Sequence, residues 1–324
     1  MDYNNNIYNQ GDENNKNIEN LQPAEDENTE LTETQKKNLI YDEFRKTNYS
    51  IVKALVLMWL LSNILVAIAS IVTNQIGPEY FLYTTIASFI TYVLCYIIFL
   101  KKDQYPRSWE QKDSKLKTLL IGLGLMILAN IVVSLLSSIL NEGFGTESID
   151  AEFLSSNNLF MDVITIGILP GLGEELFFRG IIYRYLRKFN SKVAIIGSAL
   201  IFGLIHMNLT QGIFAFFAGI LLATAYERTG SLLVPIMMHM LNNSLAVLGL
   251  EYDIISWVLF ALALVSLIYL IYYLITKRNN PSENINEDKF DKELFKKFIR
   301  NPGIFFFMAY CVITIGIMIS AGIL

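Results

Sequence analysis

Two short patterns put ionisable groups where an apolar chain has little use for them. Gly173-Glu174-Glu175-Leu176-Phe177-Phe178-Arg179 lies inside an apolar run from Leu159 to Tyr185, and the chain's two histidines, His206 and His239, fall in two further apolar runs. In a bilayer each ionised side chain costs about 2.5–3.5 kcal/mol on insertion scales, so an intramembrane Glu-Glu-x-x-x-Arg marks a candidate site. On a helix Glu175 and Arg179 share one face and can pair, whereas Glu174 points about 100° away round the axis and remains the freer carboxylate. Phe202 precedes His206 by four residues and Asn243 follows His239 by four, so each imidazole has a partner one turn away on its own face.

These residue types are the parts of a hydrolase. A carboxylate and a neutral imidazole that share one water make a general-base pair, and a second imidazole with a carboxamide offers donors to a developing oxyanion. Glu174, Glu175, His206 and His239 carry atoms that also suit zinc, with Glu174, His206 and His239 as the alternative ligand set. The chain lacks His-Glu-x-x-His, which ranks a metal second and no cofactor first. Pro170-Gly171-Leu172-Gly173, just ahead of Glu174, loosens the helix and removes side chains, leaving room for water or a substrate backbone.

The elements that position these groups are apolar runs of about 20 residues, the length a bilayer core some 30 Å thick requires. Spans are expected near 51–73, 80–100, 118–140, 158–185, 193–207, 211–226, 232–250, 254–276 and 303–324. Because the fifth and sixth are short, the fold class is an all-α polytopic membrane helix bundle of about eight to nine transmembrane helices. At a rise of about 1.5 Å per residue, Glu174 lies roughly 15–20 Å in from Arg184 to Arg187, His206 roughly 21 Å from Lys192, and His239 roughly 12 Å from Ser231. The three groups therefore meet near the midplane, and a polar, wetted cavity must surround them.

Composition agrees. The 324 residues are 53% hydrophobic and 17% charged, with a mean hydropathy of +0.41, too apolar for a soluble domain. The formal charge of −5 comes from the first 50 residues, which hold 11 acidic and 5 basic side chains, so it gives no indication of a nucleic-acid partner, and none is expected. Residues 1–46 read as a disordered acidic tail without a signal-peptide core. They are followed by two N-terminal spans and a basic loop over 47–117, a core over 118–250, and C-terminal spans with an amphipathic segment over 251–324. That segment, 281–302, sets Phe290, Leu294, Phe295, Phe298 and Ile299 at helical spacing among basic residues, as expected of a helix on the membrane surface or on the bundle's inner end. Cys95 and Cys311 lie in unrelated apolar runs and support neither a disulfide framework nor a thiolate metal site. Lys and Arg occupy every second break, which makes the N-terminus cytoplasmic by the positive-inside rule. Asn63 and Asn130 read as hydrogen-bond formers between helices, and Asp162 as a residue that reaches water near the end of its helix.

Three ordered motifs, Glu174-Glu175-x-x-x-Arg179, Phe202-x-x-x-His206 and His239-x-x-x-Asn243, use every histidine in the chain. In this they resemble the CPBP family, which comprises CAAX prenyl endopeptidases of the Rce type and bacterial Abi-like bacteriocin-processing or immunity proteins. The resemblance covers about residues 118–250 and implies an all-helical intramembrane glutamate protease. It implies that Glu174 and His206 activate the attacking water, that His239 and Asn243 stabilise the oxyanion, and that Glu175, Arg179 and Phe202 support the site. It also implies a membrane-associated peptide or protein as substrate and, for a bacterial chain, a location in the cytoplasmic membrane. The rival reading is a non-proteolytic bacteriocin immunity or membrane scaffold protein that keeps the same fold. A transporter with a midplane site would need paired broken helices, and the Pro-Gly break has no counterpart elsewhere in the chain.

Overall fold

The computed structural model describes residues 31–73, 78–102, 109–144, 158–279 and 289–321. Residues 1–30 of the expected tail, the 103–108 part of the basic loop, the breaks at 74–77 and 145–157, and residues 281–288 of the amphipathic segment lie outside them. All the described elements are helices: α1 Glu33–Thr73, α2 Pro78–Lys102, α3 Lys115–Phe144, α4 over 159–187, α5 Ser191–Ile205, α6 Leu209–Thr229, α7 Leu233–Glu251, α8 Asp253–Asn279, α9 Lys292–Ile299 and α10 Pro302–Ser320.

Among the described residues seven helices, α1, α2, α3, α6, α7, α8 and α10, are long and apolar enough to cross a membrane. The two other expected spans differ for physical reasons. Helix α5 has 15 residues and is about 22 Å long, shorter than a bilayer core. Helix α4 continues from residue 159 to 187 but is π-helical over Val163–Ile168 and again over Phe178–Tyr183. Pro170 follows the first of these segments. A proline lacks the N–H that the α-helical ladder needs, and its ring crowds the carbonyl four residues back, so a widened turn just before it relieves the clash.

Polar residues set the helix starts. The side chains of Asn158, Asn190, Asn208, Asp291 and Asn301 accept hydrogen bonds from the first N–H groups of α4, α5, α6, α9 and α10, satisfying donors that lipid would leave bare. At Thr32 and Gln35 a reciprocal capping box starts α1: the Gln35 amide accepts from the Thr32 N–H, and the Thr32 hydroxyl accepts from the Gln35 N–H. Helix therefore begins at Glu33, within the stretch 1–46 expected to be disordered.

The chain divides into two units, residues 1–42 and 43–324. Within the second, α4 is enclosed over its latter half, with every residue from Phe177 to Leu186 buried. By contrast α8 exposes Ile254, Trp257, Val258 and Ile268, and α10 exposes Phe306 and Ile313, faces that suit lipid rather than water. The basic breaks gather at one end. There Glu227 accepts from the Tyr183 hydroxyl (2.6 Å), Arg187 (2.6 Å) and Lys112 (3.2 Å), while its carbonyl accepts from the Trp109 indole at 2.9 Å. Arg187 also lies over the Trp109 ring, and Lys188 pairs with Glu43. At the same end α9 packs on the bundle: Leu294 and Phe298 are buried, the Phe298 ring reaches Gly197, and Asn190 donates to the Lys289 carbonyl. Of the two positions expected for the amphipathic segment, its described part takes the bundle's end.

Three smaller expectations resolve as follows. Asn63 donates to the Trp59 carbonyl one turn back in its own helix, so it is not a bond between helices. Asp162 is buried instead of reaching water, and both cysteines are free and buried.

Helices α5 and α6 form a hairpin joined by the three residues 206–208, and their small residues let the backbones touch. A Cβ on Gly203 would stand 2.8 Å from the Gly212 carbonyl oxygen, with no flexible side chain to yield. Gly203→Ala should therefore lower the thermal unfolding midpoint in detergent, at a cost of about 1–3 kcal/mol. Gly316→Ala, whose Cβ would meet nothing within 4 Å, should leave the midpoint unchanged.

Candidate active site

Helix α4 supplies three of the charged groups, and their surroundings divide them. Glu175 and Arg179 are both 0% exposed and pair at 2.6 Å between Oε1 and Nη1, as their spacing predicts. The guanidinium also donates from Nη2 to the Gly219 carbonyl on α6 at 3.0 Å, and it lies 4.7 Å from the centroid of the Phe202 ring on α5. One ion pair thus joins three helices. The Glu175 Oε2 and Arg179 Nε atoms are buried without a hydrogen-bond partner, so the pair depends strongly on the contacts it has.

Helix α7 brings the second histidine onto this pair. His239 Nδ1 stands 3.0 Å from Glu175 Oε1, and its Nε2 stands 3.9 Å from Glu174 Oε2. Glu175 Oε1 accepts from Arg179 Nη1, and as acceptor toward the imidazole as well it takes the hydrogen bond from His239 Nδ1, which leaves Nε2 directed at Glu174. Glu174 is the freer carboxylate, as expected, with 16% of its side chain exposed against 8% for His239. Phe89 and Tyr92 of α2 close over the neighbouring Gly173.

His206 ends α5. Its Nδ1 lies 2.8 Å from the Phe202 carbonyl oxygen, which can only accept, so Nδ1 carries the proton and Nε2 the lone pair of the neutral ring. The Phe202 ring meets both imidazoles edge-on, at 5.0 Å from His206 and 5.8 Å from His239. Among the described residues Glu174 makes no hydrogen bond to His206, and the imidazole beside it is His239. No group of three or more His, Cys, Asp or Glu side chains among the described residues is arranged to hold a metal ion, and Glu174, His206 and His239 do not form one.

Asn243 lies one turn beyond His239. Its Nδ2 donates to the Ile166 carbonyl on α4 at 3.2 Å, and its Oδ1 accepts from Asn242 at 3.1 Å. Asn242, the Gly219 carbonyl and the Ile166 carbonyl are participants that the motifs did not reveal. Asn242 alone leaves a trace in the sequence, as a second amide in the middle of an apolar helix.

Removing one partner of the buried pair strands the other. Arg179→Ala should cost about 3–5 kcal/mol of stability. Glu175→Leu combined with Arg179→Met should cost much less than either single truncation, both read from unfolding midpoints in detergent.

A model of the family described as type II CAAX prenyl endopeptidase, Rce1-like, matches residues 156–245, a narrower stretch than the expected 118–250 but one that contains all three motifs. No curated protein and no solved structure matches the chain. Residues 156–245, which carry all three motifs inside a bundle of apolar helices, are thus similar to the Rce1-like type II CAAX prenyl endopeptidases, and that similarity supports the CAAX protease family for this segment.

Proposed function

We propose that the chain is an intramembrane endopeptidase in which Glu174 acts as general base toward the water that attacks a peptide bond. The observation that carries this reading is the 3.9 Å separation between Glu174 Oε2 and His239 Nε2. It is too long for a direct hydrogen bond and leaves room for a water that would stand about 2.8 Å from each atom. Such a water lies between a carboxylate that accepts its proton and an imidazole held in one tautomer by Glu175.

The ground-state roles follow from the hydrogen bonds. The proton that Glu174 takes from the water must reach the amine nitrogen as the C–N bond breaks, and neutral His206, whose Nε2 lone pair can take a proton up and pass it on, is the group assigned to that transfer. His239, when protonated at Nε2, donates to the oxyanion formed as the carbonyl carbon becomes tetrahedral, and the second N–H of the Asn243 amide is a further donor. Arg179 touches no reacting atom and acts by pairing with Glu175, which holds His239. The substrate is a membrane-associated peptide or protein segment in extended form, because only an unpaired backbone offers its carbonyl to such a site. The basic end, where Lys112, Arg187, Lys188 and the basic residues of α9 lie, faces the cytoplasm of a bacterial cell by the positive-inside rule, and the N-terminus lies on the same side.

The test is cleavage of a library of peptides by the purified full chain in detergent, with and without a chelator. Glu174→Gln and His206→Ala should each reduce the rate by roughly 10²–10⁴-fold while unfolding as wild type does. Loss with chelator and recovery with zinc would transfer the role of Glu174 from base to ligand. A phenotype that persists in Glu174→Gln would replace the protease reading with the immunity or scaffold one.

A further inference from the structure

The hydrogen bond from Asn243 meets α4 at an informative position. Counted in α-helical register the carbonyl of residue 166 pairs with the N–H of residue 170, which Pro170 lacks; in the π-helical register of Val163–Ile168, where the Leu169 N–H reaches the Ile164 carbonyl, Pro170 leaves the Thr165 carbonyl without its donor as well. The lost bond lies at membrane depth, where an unsatisfied carbonyl costs several kcal/mol and water is scarce. It also lies eight residues before Glu174, at the end of the π-helical segment Val163–Ile168.

We propose that Asn243 is a positioning residue whose side-chain amide replaces the hydrogen bond that Pro170 removes from Ile166, and so fixes the broken turn of α4 that aims Glu174. Its orientation is unambiguous: a carbonyl can only accept, so the atom 3.2 Å from Ile166 O is Nδ2, and the Asn242 amide locks the same group by donating to Oδ1 at 3.1 Å. The register of the two helices makes the contact obligatory. Where the Asn243 bond forms, α4 presents Gly167 and Gly171 to α7, and a Cβ on either would stand within 3.0 Å of α7 backbone, at Ser244 Cα and Met240 N respectively. On both sides of Pro170 α4 therefore presents a bare glycine to Ser244 and Met240 of α7, and Asn243 reaches the Ile166 carbonyl between them. The pairs Gly167 with Ser244, Gly171 with Met240, and Glu174 with His239 form one continuous seam, so tilting the broken turn shifts Glu174 against His239.

In this role Asn243 and Pro170 are coupled, which an oxyanion donor acting alone would not require. The stability part of the proposal stands whatever reaction the site performs, and its kinetic part rests on the protease reading above.

The experiment is a double-mutant cycle on the full chain in detergent with Pro170→Ala, which restores an N–H to bond Ile166, and Asn243→Ala. Asn243→Ala is expected to lower the unfolding midpoint by a few degrees in the wild-type background and by little or nothing beside Pro170→Ala. Asn243→Asp, which keeps the shape and loses the donor, should behave like Asn243→Ala and provides the comparison where the alanine variant does not fold. With a cleaved peptide, the loss of kcat caused by Asn243→Ala should be partly recovered in the Pro170→Ala background. An equal drop in midpoint in both backgrounds overturns the coupling. An equal loss of kcat in both, with the stability coupling intact, assigns Asn243's catalytic effect to the oxyanion and overturns the kinetic part. Absence of cleavage by the wild-type chain removes the protease reading and leaves the midpoint comparison to decide the Pro170–Asn243 pairing.

Discussion

The candidate site is arranged around one desolvated ion pair. Glu175 and Arg179 have lost all contact with solvent, and each retains a polar atom without a hydrogen-bond partner, so the pair survives only while its other contacts hold. Those contacts come from three directions: the Gly219 carbonyl on α6, the Phe202 ring on α5 and the His239 imidazole on α7. A charge that cannot be rehydrated in lipid binds its neighbours tightly. The same constraint gives Glu174, on the adjacent face, a rigid wall of oriented groups without burying it in the pair.

The helix that carries these groups is irregular where its geometry matters. Two π-helical segments and Pro170 divide α4 into short lengths, and each changes the face that the next length presents. An unbroken α-helix would need neither an outside donor for Ile166 nor the bare glycine contacts with α7. The irregularity is held in place at the other end too, where Glu227 collects Tyr183, Arg187 and Lys112 and ties the end of α4 to α6 and to the segment before α3. Position along α4 is thus fixed from both ends, and the carboxylates lie between.

Much of this was legible from residue types and spacing. An i, i+4 relation predicted the Glu175–Arg179 pair and left Glu174 the freer, and the Phe202–His206 contact followed from the same spacing. What escaped was of two kinds. Backbone carbonyls, such as those of Gly219 and Ile166, have no letter of their own, and their roles emerge only when another helix delivers a donor to them. Long-range partners such as Trp109 and Glu227 are ordinary residues individually, and sequence distance hides their meeting. The start of α1 was a different failure: the Thr32 and Gln35 capping box is a local signal, but the surrounding acidic composition masked it. The shortness of α5 was legible, whereas α6 runs longer than the short sixth span expected, and the widened turns of α4 left no sign in the periodicity.

The shortness of α5 has a consequence for the lipid. A helix about 22 Å long cannot match a hydrocarbon core of about 30 Å, and it stops at Ile205, immediately before His206, so the mismatch falls beside an imidazole as well as on the chain. Thr210 and Gln211, just past the turn, are exposed there. Acyl chains facing that turn must either shorten locally or give way to water. Bilayer thickness therefore becomes a control on how wet the His206 side of the site is, set by the membrane and independent of any residue in the chain.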